Sequence, residues 1–91
     1  MEIDRLISAL EEITSLLQTS ESSGWSPMPV EEIIRRLEAE VAKARNANVV
    51  DVNLLDRLFA PTGVIQEISI RNGWGTRFLR ISEVVDEFIG K

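Results

Sequence analysis

Residues 61–90 read PTGVIQEISIRNGWGTRFLRISEVVDEFIG, and the fold turns on how this stretch is read. One reading makes two helices. Thr62 caps the first, Val64, Ile65 and Ile68 face inward, and Asn72-Gly73 closes it. The second starts near Gly75-Thr76. Phe78, Ile81, Val85 and Phe88 recur along it at spacings of three, four and three, with Leu79, Val84 and Ile89 beside them and Gly90 as the stop. The other reading makes residues 64–70 and 74–81 a β-hairpin. Asn-Gly is a strong hairpin signal and residues 64–70 are rich in β-branched side chains. Register separates the two. A two-residue turn at Asn72-Gly73 sets Ile68 opposite Arg77, Ile65 opposite Arg80 and Gln66 opposite Leu79. Apolar then faces polar where one sheet face should form. The helical period carries no such conflict, so two helices are preferred.

Working outward, residues 3–18 place Ile3, Leu6, Ile7, Leu10, Ile13 and Leu17 on a helical stripe, widened by Leu16. Residues 19–29, TSESSGWSPMP, lack periodicity and read as a loop, with Trp25 either lidding the core or awaiting a partner. Residues 30–45 form a second periodic run through Val30, Ile33, Ile34, Leu37, Val41 and Ala44. Asn46-Ala47-Asn48 stops it, asparagine being able to take the left-handed cap. Asp51 starts a short third helix containing Val52, Leu54, Leu55, Leu58 and Phe59, and Pro61 ends it. The expectation is a single helical domain over residues 1–91: an all-α, compact bundle of four to five short helices. The first two helices pair antiparallel. The alternative is an α+β, winged-helix-like fold with its hairpin at 64–81.

Composition narrows the function. Fifteen acids against ten bases give a net charge of −5, which disfavours nucleic acid and anionic membranes on average. The chain has no histidine, cysteine or tyrosine, and its lysines are Lys43 and Lys91. Histidine is the usual acid–base group near neutral pH, and zinc sites rely on Cys and His. No enzyme activity, metal or cofactor is therefore expected. The opening MEIDRLIS lacks a basic segment followed by an apolar block, so no secretory signal is expected. No run reaches the ~18 apolar residues of a membrane span. The absence of cysteine fits a reducing, cytoplasmic setting.

The remaining candidates for chemistry are few. Glu83, Asp86 and Glu87 share a helix face, as a Mg²⁺ site would need, but no second pair on a facing helix matches them. Glu31 and Glu32 are adjacent and diverge; Glu38 and Glu40 are two apart and no better. Gly73-Trp74-Gly75-Thr76 offers backbone N–H groups at a helix start, where an anion can bind, although such turns are mostly tight connections. Residues 66–81 resemble a helix-turn-helix motif, with Ile68 and Leu79 inward, Ser69 at the crossing and Gly73 in the turn. That resemblance implies a DNA-binding regulator with Arg77 and Arg80 on the outward face. Asn72 and Ser82 stand where the motif prefers apolar residues, and the chain lacks a basic footprint.

Trp74 lies between two glycines. It either plugs the space between the last two helices or stands exposed as an anchor. Arg71, Arg77 and Arg80 form a basic island around it. Tryptophan and arginine are the residue types most enriched at binding hot spots. The expected function is accordingly a non-enzymatic protein–protein interaction or regulatory module. Its interaction residues are Trp74, Arg71, Arg77 and Arg80, and its partner is another protein or a second copy of the chain.

Overall fold

Asn72-Gly73 is a helix stop and not a hairpin turn. Gly73 sits at φ 82°, the left-handed region open to glycine. Its N–H donates to the Ile70 carbonyl at 3.3 Å, and the Trp74 N–H donates to the Ser69 carbonyl at 2.9 Å. These are the paired bonds of a Schellman cap. The left-handed glycine that a hairpin turn would need here terminates a helix instead.

The computed structural model describes residues 2–21, 28–60 and 63–90, and among them are five helices and no strand. They are α1 (Glu2–Gln18), α2 (Val30–Ala47), α3 (Val52–Leu58), α4 (Val64–Arg71) and α5 (Gly75–Ile89). The all-α expectation holds and the hairpin alternative fails. Trp25, Pro61 and the expected cap Thr62 lie outside the described residues, and Gly63 occupies the N-cap position of α4. The other caps follow the sequence. Asn48 stops α2 at φ 55°, and Gly90 stops α5 at φ 86°. The Asp51 side chain accepts from the Leu54 N–H at 3.0 Å, fixing the start of α3.

The core is organised on α1, which packs against both α2 and α5. Leu6, Leu10, Ile13 and Leu17 are wholly buried, three and four residues apart as a single helix face requires. Against them α2 places Val30, Ile33, Leu37 and Ala44, and α5 places Phe78, Ile81 and Val85. Below α5, α3 and α4 add Leu54, Leu55, Leu58, Ile65 and Ile68. Phe59 stacks on Phe78 with ring centroids 6.1 Å apart. Two ion pairs span the α1–α5 seam: Arg5 to Glu87 at 3.3 Å, and Arg77 to Glu12 at 3.0 Å. Later residues of α1 meet earlier residues of α5, so the two helices run antiparallel. A further pair, Arg45 to Glu11, ties α2 to α1. These are surface pairs, worth well under about 1 kcal/mol each, and they record register more than they supply stability.

Glu40 is the one charged residue buried among the described residues, at 3% exposure. It falls on the inward stripe of α2, between Leu37 and Ala44. Its carboxylate accepts from the Asp51 N–H at 2.6 Å and meets the Lys43 ammonium at 2.8 Å. It thereby ties the end of the α2–α3 linker back onto α2.

Some side chains are less enclosed than their helical stripes suggest, and Val64, expected inward, is only partly buried. Phe78 and Val85 are buried, but Phe88 is only partly so. It lies in the last turn of α5 and packs against the margin of the core. Leu79 is 57% exposed instead of inward, because Phe78, Ile81 and Val85 already define the buried face one residue away. Val52 is 45% exposed at the first turn of α3. Phe78→Ala should cost about 3–5 kcal/mol in urea denaturation, as removal of a fully enclosed aromatic does. Phe88→Ala should cost clearly less, and equal costs would contradict the placement of Phe88 at the margin.

Candidate interaction surface

Trp74 follows the Schellman cap and turns inward. It is 8% exposed, and its indole N–H donates to the Ser20 hydroxyl at 2.9 Å. That hydroxyl in turn donates to the Leu16 carbonyl at 2.8 Å, at the end of α1. Burial of a tryptophan is favourable when its N–H finds such a partner. The first alternative for this ring, a plug behind the last two helices, is therefore the one observed, and Trp74 does not stand out as an exposed anchor. Asn72 completes the junction. Its side-chain oxygen accepts from the Glu21 N–H at 3.1 Å and its amide donates to the Glu21 carbonyl at 3.2 Å. It also donates to the Ile68 carbonyl at 2.9 Å. Where a helix-turn-helix motif prefers an apolar residue, Asn72 pairs with the chain leaving α1.

The three arginines separate. Arg77 turns toward α1 and pairs with Glu12. Arg80 is exposed on the wall of an open groove of about 480 Å³ between α1 and α5, lined also by Asp4, Glu12 and Val84. Arg71 is exposed in the last turn of α4. Neither Arg71 nor Arg80 makes an ion pair among the described residues.

Between these two arginines lies a feature that the sequence reading passed over. Among the described residues Val49, Val52, Ile70 and Leu79 are the exposed large apolar side chains, and the two most exposed, Ile70 at 67% and Leu79 at 57%, share one corner. Gly75 joins them. A methyl group placed on Gly75 would lie 3.7 Å from Cγ1 of Ile70, and Leu79 stands one turn further along the same face of α5. Gly75 thus adds no side chain of its own between Ile70 and Leu79. The sequence does carry the signal. Ile70 falls off the Ile65–Ile68–Ser69 stripe of α4, and Leu79 falls off the Phe78–Ile81–Val85 stripe of α5.

The acidic candidates do not converge. Glu87 is paired with Arg5 across the seam, while Glu83 makes no ion pair among the described residues. Glu32 is drawn to Arg35 and Arg36 within α2. Among the described residues no group of three or more acidic side chains is placed to hold a metal ion. No described helix is long and apolar enough to cross a membrane. No protein-family model, curated protein or solved structure matches this chain.

Asn72→Ala should lower stability by about 0.5–1.5 kcal/mol, since it removes the side-chain bonds to the exposed Glu21 backbone while the Ile68 carbonyl keeps its bond from the residue-72 N–H. It should also raise the amide exchange rate of Glu21. Unchanged exchange at Glu21 would show that the junction does not hold the end of α1 in solution.

Proposed function

We propose that this chain is a non-enzymatic protein–protein interaction module of the cytoplasm, and that its contact surface is the outward face of the α4–α5 corner. The observation that carries this reading is the exposed Ile70–Gly75–Leu79 surface, with Arg71 and Arg80 beside it and no ion pair for either. Contiguous exposed apolar surface rimmed by polar residues is the usual mark of an interaction site. Arginine is over-represented among residues that dominate binding energy. Trp74 serves from beneath by fixing the turn, and Arg77 braces α5 against α1. The thin catalytic inventory supports a binding role over an enzymatic one.

Magnitude sets the kind of complex. Removing the exposed parts of Ile70 and Leu79 from water contributes roughly 1–2 kcal/mol for each side chain. Association costs about 4–15 kcal/mol in lost freedom. The apolar pair alone does not hold a complex, so the charged rim must be matched as well, and a reversible contact is the natural outcome. A helix-turn-helix DNA reader would use the same two helices. It receives less support, because Arg77 is occupied by Glu12 and the outward face of α5 carries Leu79 and Glu83 beside Arg80.

The test is affinity capture from cells of the native host. Wild type is compared with Ile70→Asp/Leu79→Asp and with a control substitution on the far face, Glu31→Lys. Wild type and control should retain a common partner that the double variant loses, while the thermal midpoint of the double variant stays within a few degrees. Retention by the double variant would move the contact elsewhere. Salt-sensitive binding to a duplex pool, lost on Arg80→Ala, would replace this reading with the DNA one.

A further inference from the structure

Resting on the interaction reading above, we propose that the occupant of the α4–α5 corner is a second copy of this chain, docked face to face about a two-fold axis. The rim of the corner decides between occupants. Glu67 lies one turn before Ile70 on α4, and Arg71 follows Ile70 directly. On α5, Arg80 follows Leu79 directly and Glu83 lies one turn beyond it. All four charged side chains are exposed, and none makes an ion pair among the described residues, although Glu67 and Arg71 stand at the i, i+4 spacing that favours one. Arg5, Arg35, Arg36, Lys43, Arg45 and Arg77 are each paired within the chain, and outside the corner Arg57 on α3 is the other described arginine without an ion pair.

An acidic partner would satisfy Arg71 and Arg80 but face Glu67 and Glu83 with like charge. A basic partner would do the reverse. A surface of mixed sign around an apolar centre satisfies all four, and this same corner is such a surface. A two-fold axis that crosses α4 and α5 sets each helix antiparallel to its copy, so that Glu67 of one copy meets Arg71 of the other and Arg80 meets Glu83. Ile70 and Leu79 supply the apolar centre, and Gly75 between them adds no side chain that would hold the copies apart. The net charge of −5 on each copy opposes approach at long range. That keeps the dimer weak and makes it populated at high local concentration.

The experiment is sedimentation equilibrium over a dilution series from millimolar to micromolar chain. Wild type should move from 10.2 kDa toward twice that mass as concentration rises. Two reversed variants are prepared, Arg71→Glu/Arg80→Glu with an all-acidic rim and Glu67→Arg/Glu83→Arg with an all-basic rim. Each should remain at 10.2 kDa alone, and their equimolar mixture should recover the dimer. Circular dichroism checks that both keep the wild-type helix content. If either variant loses it, concentration-dependent amide shifts of wild type confined to residues around Ile70, Gly75 and Leu79 replace that arm. Wild type at 10.2 kDa throughout overturns the second-copy proposal, leaving the interaction reading to stand or fall on host-cell capture. A dimer that survives in both reversed variants, or a mixture that fails to recover it, also overturns the proposal.

Discussion

Burial of one face of α1 is the constraint on which the rest of the structure depends. Leu6, Leu10, Ile13 and Leu17 are wholly enclosed, and both α2 and α5 pack against α1. A chain of 91 residues has one modest core, so the helix at its centre sets what every other helix must present. α5 has to offer α1 the Phe78–Ile81–Val85 face. Once that face is committed, the rotation of α5 is fixed, and residues one step away are carried outward. The radius of gyration, 12.1 Å, is about that of a folded chain of this length, as a single shared core requires.

The α4–α5 corner follows from that rotation. Its inner side is consumed by Ile65, Ile68, Ser69, Trp74 and Phe78. Its turn is tied to the end of α1 by Asn72 on Glu21 and by the Trp74 indole on Ser20. A turn held at the backbone, the side chain and the core is rigid, and rigidity lowers the entropy lost when a surface docks. The outer side, with Ile70 and Leu79, is left in solvent. The same packing therefore supplies both the stability of the corner and the exposure of its apolar pair.

Much of the fold was legible because periodicity is a local signal. The stripes of α1, α2 and α5 could be read directly, and so could the caps at Asp51, Asn48 and Gly90. Asn72-Gly73 was ambiguous because a left-handed glycine serves a hairpin turn and a helix cap equally well, and only the register of the flanking residues separated them. The surface was less legible. Arg71, Arg77 and Arg80 are close in sequence, yet the 100° step of a helix sends Arg77 to α1 and leaves Arg80 exposed. Glu40 was weighed only with Glu38 as a poor metal pair, although its place between Leu37 and Ala44 marked it as inward. Ile70 has no place in the inward set read from the sequence, and Leu79 is placed inward there only by the helix-turn-helix resemblance. Their off-stripe positions acquire meaning only when α4 and α5 are seen to share one corner through Gly75.

The central claim is that packing on α1 commits Phe78, Ile81 and Val85 to the core and leaves Ile70 and Leu79 on one open face. Methyl relaxation of dilute protein with a soluble paramagnetic chelate measures this directly, since the chelate accelerates relaxation of methyls it can approach. Ile70 and Leu79 should show strong enhancement, while Leu10, Ile13, Ile68, Ile81 and Val85 should show little. Protection of Leu79 comparable to that of Ile81 would contradict the account, because α5 would then be rotated and the corner would have no apolar face to offer.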